Sequence, residues 1–457
     1  MTPSPTKTCR LVTLGCKVNQ YETQYVKEML ESVGYQEAPA DIPVDLCVVN
    51  TCTVTAEGDA KSRQLVRRLH QANPSADIVV MGCYATRDPH TVGQLPGVTQ
   101  VITNKEHLHE EFRAYGVPVR AGSVSDGFSR ISRFDGHQRA FVKVQDGCLL
   151  NCSFCIIPSV RPVLRSRSIE EIEAEVSRLV EAGYQEIVLT GIHLGHYGID
   201  LSRGKPRQRW SRLWHLLERL ARLPEDFRIR LSSLEAAEAR DDLIRALAGH
   251  PRICPHLHLC LQSGSDRILA RMKRRYRAAG FLERCRRIRE QLDTPAFTTD
   301  VIVGFPGETD EDFAQTLAVV REVGFSRIHL FSYSPRAGTP AADFTDRVAP
   351  ALVTQRREQL KQLERSLASQ YYRSLLGRTL DVLVEGPAPA RPGLVQGTSC
   401  RYAPVVCRGH APALLRKRIP VRAIALAEEG LIGESEPEAS ATGSFRRTPI
   451  PLLAPGE

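Results

Sequence analysis

The chain has 457 residues, 42% of them hydrophobic, a net charge of +9 and 13 cysteines. That length suggests about three domains. No run approaches the ~20 apolar residues of a membrane-spanning helix, and the start, Met1-Thr-Pro-Ser-Pro-Thr-Lys7, lacks the apolar core of a signal peptide, so a soluble, cytoplasmic protein with no membrane partner is expected. Cysteines in so long a chain point to metal ligands and free thiols before a disulfide scaffold. The basic balance favours a polyanionic partner.

Residues 7–115 alternate short apolar runs with helical stretches, the pattern of an open parallel sheet flanked by helices. Strands are expected at Arg10–Leu14, Leu46–Val49 and Ile78–Met81, with helices over Tyr21–Ser32 and from beyond Cys52 to Gln71. Cys16, Cys52 and Cys83 each fall just past the carboxyl end of a strand. In a parallel sheet those ends share the edge where ligands bind, so the three can converge on one metal cluster. The alternative is that each is an ordinary small buried residue, as Cys9 and Cys47 on the strands are read to be. No Gly-x-Gly-x-x-Gly follows the first strand, which argues against a dinucleotide. Residues 116–137, rich in Gly, Ser and Arg, read as a linker.

Residues 138–376 carry six strand-then-helix units and a closing long helix over 350–376. Strands are expected at Ala140–Gln145, Glu186–Leu189, Arg228–Leu231, His256–Leu261, Phe297–Val303 and Arg327–Phe331. Ser168 and Glu171 form a capping box before apolar residues at helical spacing. Six units fit an open, partial (β/α)6 barrel, whose ligands sit at the carboxyl ends of the strands. There stand Cys148, Gly191, Ser232 to Glu235, Gln262 to Gly264 and Gly304 to Glu308, which suit a ligand crevice and equally suit plain turns.

The first of these loops holds Cys148-x3-Cys152-x2-Cys155. Three thiolates so spaced can wrap one iron–sulfur cube and leave its fourth iron open to a substrate or cofactor. A structural zinc is the competing reading, but it needs a fourth ligand and a second pair that this segment lacks. Phe154 either packs on a ligand's ring or belongs to the core. His193 and His196 read as solvated loop residues, since no further ligand lies near them in sequence. Gly198 to Lys205 is no phosphate-binding loop, because Pro206 stands where a hydroxyl residue is needed. The basic run Arg271–Arg277 is either a solvated surface or a phosphate-binding face.

In residues 377–433, short strands at Thr379–Val384, Gly393–Gln396, Tyr402–Val406 and Ile419–Leu426 suit a small antiparallel β-barrel. Arg401, Tyr402, Arg408, Arg416, Lys417 and Arg418 give it groups that hold nucleic-acid backbones and stack on bases. Residues 434–457, rich in Ser, Pro, Glu and Gly, are expected to be disordered.

Six strings then resemble one family: Thr13-Leu-Gly-Cys16-Lys-Val-Asn-Gln-Tyr-Glu-Thr23, Asn50-Thr-Cys52-Thr-Val-Thr55, Gly82-Cys83, Arg230-Leu-Ser-Ser-Leu-Glu235, Leu261-Gln-Ser-Gly-Ser-Asp266 and Asp300-Val-Ile-Val-Gly-Phe-Pro-Gly-Glu308. With the C-x3-C-x2-C run they resemble the radical S-adenosylmethionine (SAM) methylthiotransferases, whose terminal barrel is called a TRAM domain. The residues around Cys16 and Cys52 are similar to the branch acting on N6-threonylcarbamoyladenosine at position 37 of tRNA. The isopentenyladenosine branch and the ribosomal-protein aspartate branch are the alternatives. Pro162 and Cys260 depart from the family pattern.

The resemblance implies two [4Fe-4S] clusters. Cys148, Cys152 and Cys155 would hold the one that cleaves SAM to a 5′-deoxyadenosyl radical, which removes hydrogen from C2 of the adenine. Cys16, Cys52 and Cys83 would hold the one that delivers sulfur, and a second SAM would supply the methyl group. The resemblance further implies that Phe154, Gly191, Ser233, Glu235, Gln262 and Asp300 line the cofactor. The implied partners are the anticodon arm of tRNA and a reductant such as flavodoxin or ferredoxin.

Overall fold

The computed structural model describes residues 7–39, 41–117, 130–389 and 391–435. Most of the expected linker, 118–129, and the tail from 436 lie outside the described residues.

The N-terminal sheet holds β1 (Thr8–Thr13), β2 (Gln36–Glu37), β3 (Leu46–Thr51), β4 (Asp77–Gly82) and β5 (Val98–Val101), in the order β2-β1-β3-β4-β5. Every pairing in it is parallel. The central strand β3 is buried along its whole length. Its side chains alternate between two cores: Leu46 and Val48 face the one shared with the central sheets, Cys47 and Val49 the other. Helix α1 (Lys17–Ser32) starts four residues before the expected Tyr21. Its N-cap is Cys16, whose side chain makes no capping bond, so none of the usual Ser, Thr, Asp or Asn signals marks the start. Helices α2 (Ala56–Ala72) and α3 (Cys83–Arg87) follow β3 and β4.

The central strands are β6 (Ala140–Asp146), β7 (Arg165–Ser166), β8 (Glu186–Gly191), β9 (Arg228–Leu231), β10 (Ser233–Leu234), β11 (His256–Leu259), β12 (Ala296–Val303) and β13 (Arg327–Ser332). They form two four-stranded sheets, β7-β6-β8-β9 and β10-β11-β12-β13, parallel apart from the short antiparallel β6–β7 pair. Only Ser232 separates β9 from β10, and Ile229 bridges Ile253, so the sheets continue into one another as the expected open, partial barrel. The Ser168 capping box opens the helix Ile169–Glu181. The long helix Pro350–Arg373 buries Leu360 and Leu367 against the shared core.

The C-terminal barrel closes through β14 (Thr379–Pro387), β15 (Leu394–Ser399), β16 (Pro404–Arg408), β17 (Arg418–Ala427) and β18 (Gly430–Ser435), in the order β14-β15-β16-β18-β17. The sequence suggested four antiparallel strands. The fifth, β18, is short and twice interrupted by glycine, and it pairs with β16 in parallel. Central arginines reach into the barrel's backbone: Arg228 donates to the Asp381 carbonyl at 2.6 Å and Arg230 to that of Ser399 at 3.0 Å. Both guanidiniums are anchored on the buried carboxylate of Glu186.

Candidate metal centres and the crevice between them

The chain turns sharply after β6 at Gly147, where φ is +75° and an added Cβ would sit 1.9 Å from the Val163 carbonyl oxygen, so only glycine fits. The turn sends Cys148, Cys152 and Cys155 toward one cavity of ≈ 160 Å³, also lined by Phe154, Ser233, Glu235 and Gln262. The thiols meet fixed donors: the Leu150 N–H lies 3.4 Å from Cys148 Sγ, and Arg274 Nη1 lies 3.3 Å from Cys152 Sγ. Burial, with the neighbouring thiols adding to it, pushes Cys148 up to about 11 and Cys155 up to about 12. Both shifts favour the protonated thiol, so a metal that binds Cys148 and Cys155 displaces protons. Glu235 Oε1 is buried without a hydrogen-bond partner, 3.6 Å from Arg274, and is available to a ligand's donor. Gln262 carries a left-handed φ of +61°, held by its backbone bonds to Asp300 and Ile302, a strain typical of ligand clamps. Three convergent thiols, N–H donors aimed at sulfur and an open polar atom fit a cluster with an exchangeable ligand.

The other three cysteines stand at the carboxyl ends of neighbouring strands. Cys16 follows β1 and caps α1, Cys52 follows β3, and Cys83 opens α3 after β4. Burial raises the Cys16 and Cys52 thiols, Cys52 to about 11; charge on Cys83 adds to both, and charge on Cys16 adds to Cys52. Gly15, with φ of +101°, lets Cys52 close in: an added Cβ would lie 2.8 Å from Cys52 Cβ and 3.1 Å from its sulfur. Gly82, with φ of +97°, does the same before Cys83, where a Cβ would fall 2.4 Å from Asn50 Oδ1. These residues also fit a three-thiolate cluster.

Arg161 joins the two centres. Its guanidinium binds Glu22 at 2.8 Å, Asp146 at 2.8 Å and the Asn19 side chain at 3.2 Å. Its carbonyl accepts the Cys148 N–H at 3.3 Å. Asn19 in turn donates to the Leu14 and Thr51 carbonyls, beside Cys16 and Cys52. A second cavity of ≈ 780 Å³ runs from Cys16 past Asp300, His256 and His258 to Tyr402 on the barrel, and it meets the smaller cavity at Ser233.

Of the residues expected to line the cofactor, Phe154, Ser233, Glu235 and Gln262 share the small cavity with the cysteine triad. Asp300 faces the large one, and Gly191 lines neither. Gly191 instead leaves room for Gln145, whose side-chain oxygen would lie 2.8 Å from a Cβ there and accepts the His193 N–H.

Three readings change. His193 and His196 are not solvated: His193 Nδ1 lies 3.7 Å from Cys148 Sγ, and Glu238 binds both rings, at 2.5 and 3.2 Å. Glu238, 42 residues past His196, was invisible as their partner in the sequence. Within the basic run, Arg274 turns inward to the cysteine triad because the chain reverses after the helix Asp266–Arg271. On the barrel, Arg401 binds Asp293 and Arg418 binds Asp226, so both serve the domain junction, while Arg408 and Lys417 stay exposed.

Residues 142–320 match the family described as the Radical SAM superfamily, and residues 8–103 match the Uncharacterized protein family UPF0004. A threonylcarbamoyladenosine tRNA methylthiotransferase MtaB of Chlamydia pneumoniae is 38% identical over 93% of this chain and 98% of its own. The MtaB of Bacillus subtilis is 39% identical over 82% and 84%. A tRNA-2-methylthio-N(6)-dimethylallyladenosine synthase of Corynebacterium urealyticum is 35% identical over 83% and 72%. In fold, the chain is similar to the radical S-adenosylmethionine methyltransferase TsrM of Kitasatospora setae, with a TM-score of 0.54 at 13% identity over 74% of this chain and 77% of that one. With two cysteine triads on these sheets and relatives this similar across nearly the whole chain, the protein is an enzyme, a transferase, and belongs to the radical S-adenosylmethionine tRNA methylthiotransferases.

Proposed function

We propose that this enzyme converts N6-threonylcarbamoyladenosine at position 37 of tRNA to its 2-methylthio derivative. Cys148, Cys152 and Cys155 would hold one [4Fe-4S] cluster and Cys16, Cys52 and Cys83 the second. When bound, the first cluster and SAM supply a hydrogen-abstracting radical, and the second supplies the sulfur. The observation that carries the reading is the join between the cavities: Cys16 opens onto the large crevice, the other triad onto the small one, and Ser233 lines both. A base in the crevice would thus be within reach of both chemistries.

The chain's own residues would do the positioning. Glu235, whose Oε1 accepts no hydrogen bond among the described residues and lies 3.6 Å from Arg274, is placed to receive the ammonium group of SAM, and Phe154, edge-on to Phe305 at 6.5 Å, forms an apolar wall. Arg274 and the Leu150 N–H would steady the thiolates through N–H···S bonds. Tyr402, from the barrel, closes the far end of the crevice with its ring stacked on His256. The exposed Arg408 and Lys417 would meet tRNA phosphates. A flavodoxin- or ferredoxin-type reductant would supply electrons. The domain limits 7–115, 138–376 and 377–433 belong to the same proposal. Among the described residues no helix is long and apolar enough to cross a membrane.

The test is mass spectrometry of nucleosides from bulk tRNA, with and without the gene. Loss of 2-methylthio-threonylcarbamoyladenosine with accumulation of its unthiolated precursor supports the proposal. Loss of a methylthio-isopentenyl nucleoside instead, or unchanged tRNA, refutes it and turns attention to the other branches.

A further inference from the structure

Lys17 lies on the wall of the large crevice, beside Cys16. The other strong cations of that wall are committed: Arg139 pairs with Glu385 and with Glu186 at 3.4 Å, and Arg230 pairs with Glu186 at 2.8 Å. The Asp300 carboxylate is taken by His258 at 3.2 Å. Among the described residues Lys17 has no ion-pair or hydrogen-bond partner for its ammonium group, and it is exposed to the crevice.

Its place runs against local helix energetics. Lys17 is the first residue of α1, and the first turn holds no acid, so a cation sits on the positive end of a helix dipole. That arrangement disfavours the helix and favours an anion in front of it. Another lining residue of the same crevice supplies an independent mark of a ligand. His256 is 4% exposed, stacked on Tyr402 at 4.4 Å, and its Nε2 is occupied by Thr298 at 3.0 Å, while its Nδ1 has no partner. Burial lowers the His256 and His329 rings from the ordinary histidine range, and the charge of Lys17 adds to both.

We propose that Lys17, with His256 Nδ1 as a hydrogen-bonding partner, recognises the carboxylate of the substituent on the target adenine and so selects an acidic N6 substituent over an apolar one. The inference rests on the substrate reading above and adds the group that enforces it. The N6-threonylcarbamoyl group carries one carboxylate, matching one uncommitted cation. A dimethylallyl group offers Lys17 nothing.

The experiment uses the full-length enzyme with both centres reconstituted and fluorescence anisotropy of labelled anticodon stem-loop RNAs. Three loops differ only at position 37: threonylcarbamoyladenosine, the same with its carboxylate converted to an amide, and adenosine. The wild type is expected to bind the carboxylate loop about tenfold more tightly than the amide loop, the scale of one charge-assisted hydrogen bond. Lys17→Gln is expected to weaken only the carboxylate loop, and Lys17→Arg to restore the difference. Equal weakening of all three loops means that Lys17 touches backbone phosphate, and overturns the proposal. A preference that survives Lys17→Gln overturns it while leaving the substrate reading intact. The wild-type comparison needs no variant: if carboxylate and amide loops bind alike, the proposal fails, and nucleoside mass spectrometry decides separately whether the substrate reading falls with it.

Discussion

Replacing Arg161 with Leu should both destabilise the enzyme and reverse part of its pH response. Glu22, Asp146, Lys143 and Arg161 form one buried network, with Lys143 bound to Glu22 at 2.9 Å and to Asp146 at 2.5 Å. Two carboxylates and two cations sum to zero. Removing Arg161 leaves one uncompensated negative charge between the two cysteine centres. Breaking a buried pair in this way costs ~3–5 kcal/mol, a large share of the ~5–15 kcal/mol that holds a domain folded. At ~2–4 °C per kcal/mol, the melting temperature should drop by ~6–20 °C.

Burial alone would raise both carboxyls, but the charges of Arg161 and Lys143 outweigh it and hold Glu22 and Asp146 below the ordinary carboxylate range. In the wild type these groups contribute stability that is present above their unfolded values and lost as pH falls through the depressed folded ones. In Arg161→Leu, one carboxyl has lost its partner and its folded value rises above the unfolded one. Its destabilisation is then smallest near pH 4–5 and grows as pH rises toward 8. Calorimetry of the metal-free wild type and variant at pH 5 and 8 measures this. A drop of under 2 °C, or one equal at both pH values, would refute the argument that Arg161 balances a buried charge.

Gly15→Ala forces a Cβ to 2.8 Å from Cys52 Cβ at a left-handed backbone position. It should cost ~1–3 kcal/mol, and the reconstituted protein should bind roughly half the wild-type iron. Cys16→Ala should spare reductive SAM cleavage and abolish sulfur insertion, whereas Cys148→Ala should abolish both, as read by 5′-deoxyadenosine and thiolated nucleoside yields. Glu238 is pushed up by burial but drawn down to about 2 by hydrogen bonds and charge from His193 and His196. Glu238→Ala removes the acceptor of both rings, and thermal denaturation should show a loss of ~1–3 kcal/mol.

Much of the site could be read from the sequence because it is local. The C-x3-C-x2-C spacing lies within one loop, and the period-2 and helical patterns locate strands whose ends Cys16, Cys52 and Cys83 follow. Helix α1 could not be bounded so well, since Cys16 caps it without a capping side chain. What folding alone decided is what joins distant segments. Arg274 reaches Cys152 across 122 positions, and Arg161 reaches Glu22 across 139. Tyr402 meets His256 only because the barrel docks on the central sheets through Arg228 and Arg230. A sequence pattern records the period of each element and the chemistry of each side chain. Which charges neutralise one another, and which cation is left over to meet a substrate, depends on distances that exist only once the sheets have packed.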